Sequence, residues 1–329
     1  MAAIGGFVKR NWFLCGMVCV VAGAIAAPGL GSAINPRRAL STAAVVAIFV
    51  LSGLSLPSEE VRRGLRSVRV HLFVQGFVFV VIPAWFYVTG GLFADVMEGK
   101  LLIGFYALAV LPTTISSCIV FTQMARGNVA ATIFNAVVAN LLGVFISPLL
   151  LTLLLHRAGR TMPVDQMLGI FASLLWKVLA PFLAGQLLRL PLRDFAGRQK
   201  KRFSAAGSCL VLLIIYLAFS RAAGSDLLSR NAWRLAGPFA YLAASNVVLM
   251  GLAYGGARAI RLGPADVVTA VFTAPQKTLA MGIPLLTIYF ASQPDVLAFA
   301  MLPVLFYHPW QLLTAGVARG LLAVPEAPD

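Results

Sequence analysis

Two short polar runs built around proline interrupt long apolar segments of this chain. The first is Leu111-Pro112-Thr113-Thr114-Ile115-Ser116-Ser117 and the second is Thr273-Ala274-Pro275-Gln276-Lys277-Thr278, with the prolines 163 residues apart in a chain of 329. Proline lacks an amide proton and clashes with the preceding turn, so Pro112 and Pro275 are expected to break helices. A broken helix ends in unpaired carbonyls, which attract cations, and the next begins with unpaired amides, which attract anions. In hydrocarbon such ends survive only beside a polar cavity or a bound group. Thr113, Thr114, Ser116 and Ser117 add hydroxyl oxygens of the hard kind that sodium accepts. Thr132 and Asn135, three apart and so roughly on one helix face, join them, followed by Asn140, and Gln75 supplies another amide oxygen. The plainer reading of any one of these is glue between helices. Grouped around a proline break, they read as a binding site.

Lys277, flanked by Gln276 and Thr278, carries the sharpest expectation. It lies near the middle of an apolar span, where a charge costs about 2.5–3.5 kcal/mol. The alternative is snorkelling, which this depth argues against. Desolvation favours the neutral amine, a candidate proton carrier; as an ammonium it would fill a place where a metal cation could sit. Lys177, central in another span, is read equally as packing or as a lesser member of the same set. His71 is expected to be a satisfied interfacial histidine, Glu59 and Glu60 a solvated loop pair, and Gly251 with Gly255 a helix contact.

An enzyme is not expected, because His71, His156 and His308 have no serine or cysteine at a spacing that would pair nucleophile with base. Cys15, Cys19, Cys118 and Cys209 fall in apolar runs without metal-ligand company. No cofactor is expected beyond sodium or a proton as a coupling ion.

The elements that must position these residues are membrane helices. The chain is 60% hydrophobic and 11% charged, with a mean hydropathy of +0.90, whereas soluble domains carry about a quarter charged residues. Apolar runs predict ten spans, approximately 12–30, 40–56, 70–90, 101–125, 129–155, 166–188, 204–221, 232–257, 265–290 and 295–318. The first is too long for the apolar part of a signal peptide. The net charge of +15 sits mostly in loops between spans, which argues against nucleic-acid binding and for lipid headgroups as neighbours. Alternate loops hold 16 Lys and Arg on one side and 8 on the other, which places both termini in the cytoplasm of a cell membrane, here taken as a bacterial inner membrane.

Ten spans divide into residues 8–160 and 163–320, two sets of five. Because five is odd, the second set enters the membrane inverted, and the broken segments become the fourth member of each set. The fold class expected is therefore an all-α polytopic membrane protein of two inverted five-helix repeats in a single membrane domain.

Further runs carry a family resemblance. Arg126-Gly127-Asn128-Val129-Ala130, the Pro112 break with Ser116-Ser117, and Ser147-Pro148-Leu149-Leu150 resemble the bile acid:sodium symporter superfamily. Leu51-Ser52-Gly53-Leu54-Ser55-Leu56 and Lys277-Thr278-Leu279-Ala280-Met281-Gly282-Ile283-Pro284 look more like the branch around the seventh member of vertebrate solute carrier family 10 and its bacterial relatives. The resemblance implies a panel of spans one, two, six and seven, and a core of spans three to five and eight to ten. Substrate would bind in a crevice between them. It also implies sodium ligands at Ser116, Ser117, Thr132, Gln75 and Gln276. Better-known members carry a glutamate before the Gln-Asn pair that corresponds to Gln276-Lys277; here no acid lies between Asp266 and Asp295. A positive Lys277 would repel sodium by about 4 kcal/mol at 4 Å in a dielectric of 20.

The function expected is secondary transport of a small organic anion by alternating access, with Lys277 modifying or replacing sodium coupling. Sodium-coupled symport is the alternative mechanism. A membrane regulatory protein of the same fold is the alternative class, weakened by the short stretch of about ten residues after the last span.

Overall fold

The computed structural model describes residues 12–55, 67–93, 99–157, 164–222 and 235–323. Among them there is no strand. In chain order the helices are α1 (Trp12–Ala26), α2 (Pro28–Ile34), α3 (Ala39–Ser55), α4 (Val68–Gly76), α5 (Ile82–Gly90), α6 (Lys100–Val110), α7 (Ser116–Met124) and α8 (Val129–Arg157). They continue with α9 (Val164–Leu174), α10 (Ala180–Arg189), α11 (Arg193–Ala222), α12 (Ala236–Ala259), α13 (Pro264–Thr273), α14 (Leu279–Tyr289) and α15 (Pro294–Leu322). Glu59 and Glu60 lie outside the described residues.

Six stretches are long and apolar enough to cross a membrane unaided: Val68–Gly90, Val129–His156, Leu168–Arg189, Arg193–Arg221, Ala236–Ala259 and Val296–Leu322. The other expected spans are shorter or divided. The first is cut between Ala26 and Pro28, the second is 17 residues, and the fourth and ninth are each split in two.

Two of the long stretches contain a π-helical turn, Phe77–Val81 and Leu175–Leu179. In each, the proline two residues beyond, Pro83 or Pro181, cannot donate, and the amide before it bonds five residues back instead, Ile82 to Phe77 and Ala180 to Leu175.

The chain forms two compact units. The first comprises residues 1–56, 164–231 and 283–298. Its α3 crosses α10 with backbones in direct contact, because Gly53 and Gly185 have no side chain. A Cβ on Gly53 would stand 2.3 Å from the Phe182 carbonyl oxygen, and one on Gly185 2.3 Å from that of Val50. That approach lets α10 finish α3: Gln186 Nε2 donates to the Gly53 carbonyl at 2.7 Å and Arg189 Nη1 to that of Leu54 at 2.7 Å. These are the orphan acceptors that every helix end leaves.

The second unit comprises residues 57–163, 232–282 and 299–329. Its centre is α6, buried at every position from Leu101 to Val110, and α13, buried from Val267 to Thr273. A helix apolar on all faces has nothing to present to water and packs inside. Phe272 lies in a cluster with Val268, Val271, Met250, Ala125 and Ala315, while Phe86, Phe105 and Tyr241 pack ring to ring around α6. Gly251 and Gly255 are exposed, and a Cβ on either would meet no atom of the chain within 4 Å. Among the described residues the helix contact expected there is not made.

Candidate functional site

Both interruptions, residues 111–115 and 274–278, lie in the second unit, and they are hydrogen-bonded to each other. Helix α6 stops at Val110 because Leu111 turns extended ahead of Pro112, and α7 resumes at Ser116. Helix α13 stops at Thr273 and α14 starts at Leu279. The Thr278 amide donates to the Pro112 carbonyl at 3.0 Å, the Thr113 hydroxyl to the Thr273 carbonyl, and the Ser117 hydroxyl to Gln276 Oε1 at 3.1 Å. Thr114 and Ser117 share a short hydroxyl contact. Ser116 is exposed, Ser117 half-buried, and Thr113, Thr114, Gln276, Lys277 and Thr278 are buried.

Lys277 closes this crossing. Its Nζ donates to the carbonyls of Ala109 at 2.9 Å and Leu111 at 2.7 Å, at the carbonyl end of α6. An ammonium there is in the favourable field of the helix terminus. The residue is 1% exposed, so its amine faces peptide carbonyls and not water.

Neighbouring carbonyls of the same strand of backbone are taken by others. Val110 accepts from the Ser147 hydroxyl at 2.6 Å, and Thr113 accepts from Asn140 Nδ2 at 2.9 Å. With Pro112 bound to Thr278, five successive carbonyls, Ala109 to Thr113, all have donors.

The second break is held from α15. Gln311, fully buried, accepts the Lys277 amide on Oε1 at 2.7 Å and donates from Nε2 to the Lys277 carbonyl at 2.9 Å. The Tyr307 hydroxyl donates to the Pro275 carbonyl at 2.9 Å and accepts from Asn246 Nδ2 at 2.9 Å. Asn246 Oδ1 in turn accepts from Thr314 at 2.6 Å. Sequence reading missed Tyr307, Gln311 and Thr314. Their spacing of four and three puts them on one face of a mainly apolar helix, the signal that could have found them.

The other expected residues gather in two further groups of the same unit. Thr132 is hydrogen-bonded to other residues than the Ser117–Gln276 pair. Its hydroxyl lies 3.1 Å from Thr122 Oγ1, 3.1 Å from the Asn128 carbonyl and 3.3 Å from Thr269 Oγ1. Asn128 donates to Asp266 at 2.9 Å and accepts the Ala131 amide at 3.0 Å, capping α8. Just before it, Arg126 turns left-handed at φ 56° and the Gly127 amide returns to the Thr122 carbonyl at 2.8 Å. The Arg126-Gly127-Asn128 run is thus a helix stop followed by a helix start.

Asn135 points elsewhere again. Its Nδ2 meets His71 Nδ1 at 2.9 Å, and Gln75 Nε2 donates to the Asn135 carbonyl at 3.0 Å and to its Oδ1 at 3.2 Å. By their hydrogen bonds the oxygens expected to hold sodium fall into three sets: Ser117 with Gln276, Thr132 with Thr122 and Thr269, and Gln75 with Asn135. Two buried oxygens, Gln75 Oε1 and Thr273 Oγ1, have no hydrogen-bond partner among the described residues. Both are hard donors of the type an alkali cation takes.

Paired helix interruptions in an apolar, multiply spanning chain define a secondary transporter, and comparison with known proteins agrees. Residues 11–322 match the SBF-like CPA transporter family, and the chain belongs to that family. It is 33% identical to sodium/bile acid cotransporter 7 of Xenopus tropicalis over 317 residues, covering 94% of this chain and 91% of that one. The rat cotransporter of the same name is 31% identical over 317 residues, covering 94% and 92%. A protein of Escherichia coli K12 with the provisional name symporter YfeH is 32% identical over 313 residues, covering 93% and 90%.

Proposed function

We propose that this chain carries a small organic anion across a cell membrane by alternating access, with Lys277 standing where a coupling cation would otherwise sit. The observation that carries the reading is the contact of Lys277 Nζ with the Ala109 and Leu111 carbonyls. A bound ammonium supplies the positive charge that those carbonyls favour, and it needs no ion from solution. Ser116, exposed at the start of α7, stands beside the amides that would receive the anion. The relatives' names point to an organic anion, since a bile acid is one. The frame proposed is ten crossings in two inverted five-helix repeats with both termini cytoplasmic. Spans one, two, six and seven form the panel, and three to five with eight to ten form the core.

Uptake of candidate anions into proteoliposomes, with sodium, potassium and pH varied independently, tests this. Uptake by the native chain that is unchanged when potassium replaces sodium, and that Lys277→Ala abolishes in potassium medium, is expected. Sodium-dependent uptake by the native chain that Lys277→Ala leaves unchanged removes the lysine from the mechanism. That outcome would favour sodium-coupled symport, the second reading, which the unpartnered Gln75 Oε1 and Thr273 Oγ1 support.

A further inference from the structure

The first unit holds a cavity that the transport reading does not use. Three cationic side chains, Arg38, Lys177 and Arg221, line it together with the hydroxyls of Ser41, Thr42 and Thr287, and the rest of its wall is mainly aliphatic. No acidic residue is among the described lining residues. The three cations are each partly buried, and the charge of Arg38 acts on Arg221. Like charges gathered in partial burial without a counter-charge are costly, unless an anion joins them.

The cluster is held in place by the surrounding chain. Asn35, 2% exposed, takes the Arg221 guanidinium on its carbonyl. The same carbonyl accepts the Arg38 amide at 3.3 Å. Arg38 itself is left-handed, φ 58°, a conformation that side chains other than glycine rarely adopt. Asn35 Nδ2 donates to Ser41 Oγ at 2.6 Å, which leaves the serine proton to be given to something else. Lys177 arrives on the π-turn Leu175–Leu179, an irregularity often found at functional sites.

We infer that this cavity binds an oxyanion head, a carboxylate, sulfate or phosphate, between Arg38, Lys177 and Arg221. Measured by where the centre of a water can go, its volume is about 60 Å³, against roughly 10–15 Å³ for one water. A compact head fits, and the aliphatic wall can take an apolar body attached to it. The head belongs either to a soluble anion or to an anionic lipid.

The full-length chain in detergent is titrated with inorganic phosphate and with sulfate at constant ionic strength, chloride serving as control, and its melting temperature is followed. A second arm places it in nanodiscs of phosphatidylcholine with and without phosphatidylglycerol and counts retained lipid by native mass spectrometry. Saturable stabilisation is expected, with affinity at least about tenfold weaker in Lys177→Met and in Arg38→Gln and largely kept in Arg38→Lys. Phosphatidylglycerol retained by the native chain and lost in the first two variants assigns the head to lipid. Saturation by phosphate or sulfate without such retention assigns it to a soluble anion. No saturable response in either arm, or equal responses in native and variant chains, overturns the inference. Uptake is not a readout here, so this result and that of the transport assay fail separately.

Discussion

Gln311 holds the main chain of Lys277 at both of its polar groups, accepting the amide at 2.7 Å and donating to the carbonyl at 2.9 Å. This is how a strand partner would treat an edge residue, here done by one side chain from a helix 34 residues later. It fixes the backbone from which the lysine reaches α6.

Gln311→Met keeps the volume and removes both bonds. It leaves a buried amide and a buried carbonyl without partners, at about 1–3 kcal/mol each. A loss of about 2–6 kcal/mol in unfolding free energy is expected, read by steric trapping or chemical denaturation. An unchanged value would mean that the bonds made by Tyr307, Thr113, Ser117 and Thr278 hold the second break without Gln311.

Lys277→Ala removes the donor and opens room beside the Ala109 and Leu111 carbonyls. If the ammonium replaces an ion, sodium should stabilise this variant and leave the native chain unmoved, with choline as the control. The gain expected is about 1.4 kcal/mol at ten times the dissociation constant. The check is a thermal shift at matched ionic strength.

Gly185→Ala drives a methyl to 2.3 Å from a carbonyl oxygen that belongs to backbone and cannot step aside. Loss of folded protein on extraction is expected, judged by fluorescence-detected size exclusion. Gly23→Ala, where a Cβ meets nothing within 4 Å, should elute like the native chain.

Asn128→Ala deletes a helix cap and a hydrogen bond to Asp266 together. The cap contributes about 1 kcal/mol and the bond to a carboxylate about 1.5–3 kcal/mol. A combined loss of about 2–4 kcal/mol should appear in denaturant unfolding. Asn128→Asp keeps the cap acceptor but sets two carboxylates side by side, so it should recover none of the loss.

What could be read from the sequence was whatever depends on local chemistry. Proline forbids a continuous hydrogen-bond ladder, so Pro112 and Pro275 marked where α6 and α13 would be followed by non-helical backbone. The depth of Lys277 was legible from its distance to the span ends; its destination, carbonyls 166 and 168 residues earlier, was not, because that is a tertiary fact. Thr132 and Asn135 share a face only loosely. Three residues turn a helix by about 300°, leaving some 60° between them, enough to send one toward Thr122 and the other toward His71. Gly251 and Gly255 show the reverse, a contact pattern with no contact among the described residues.

The filled row of acceptors from Ala109 to Thr113 has a consequence for anything arriving at the crossing. Each carbonyl along that stretch already has one donor, so a newcomer competes there with Lys277, Ser147, Thr278 or Asn140. Displacing or crowding one of those donors is part of the cost of binding at the crossing.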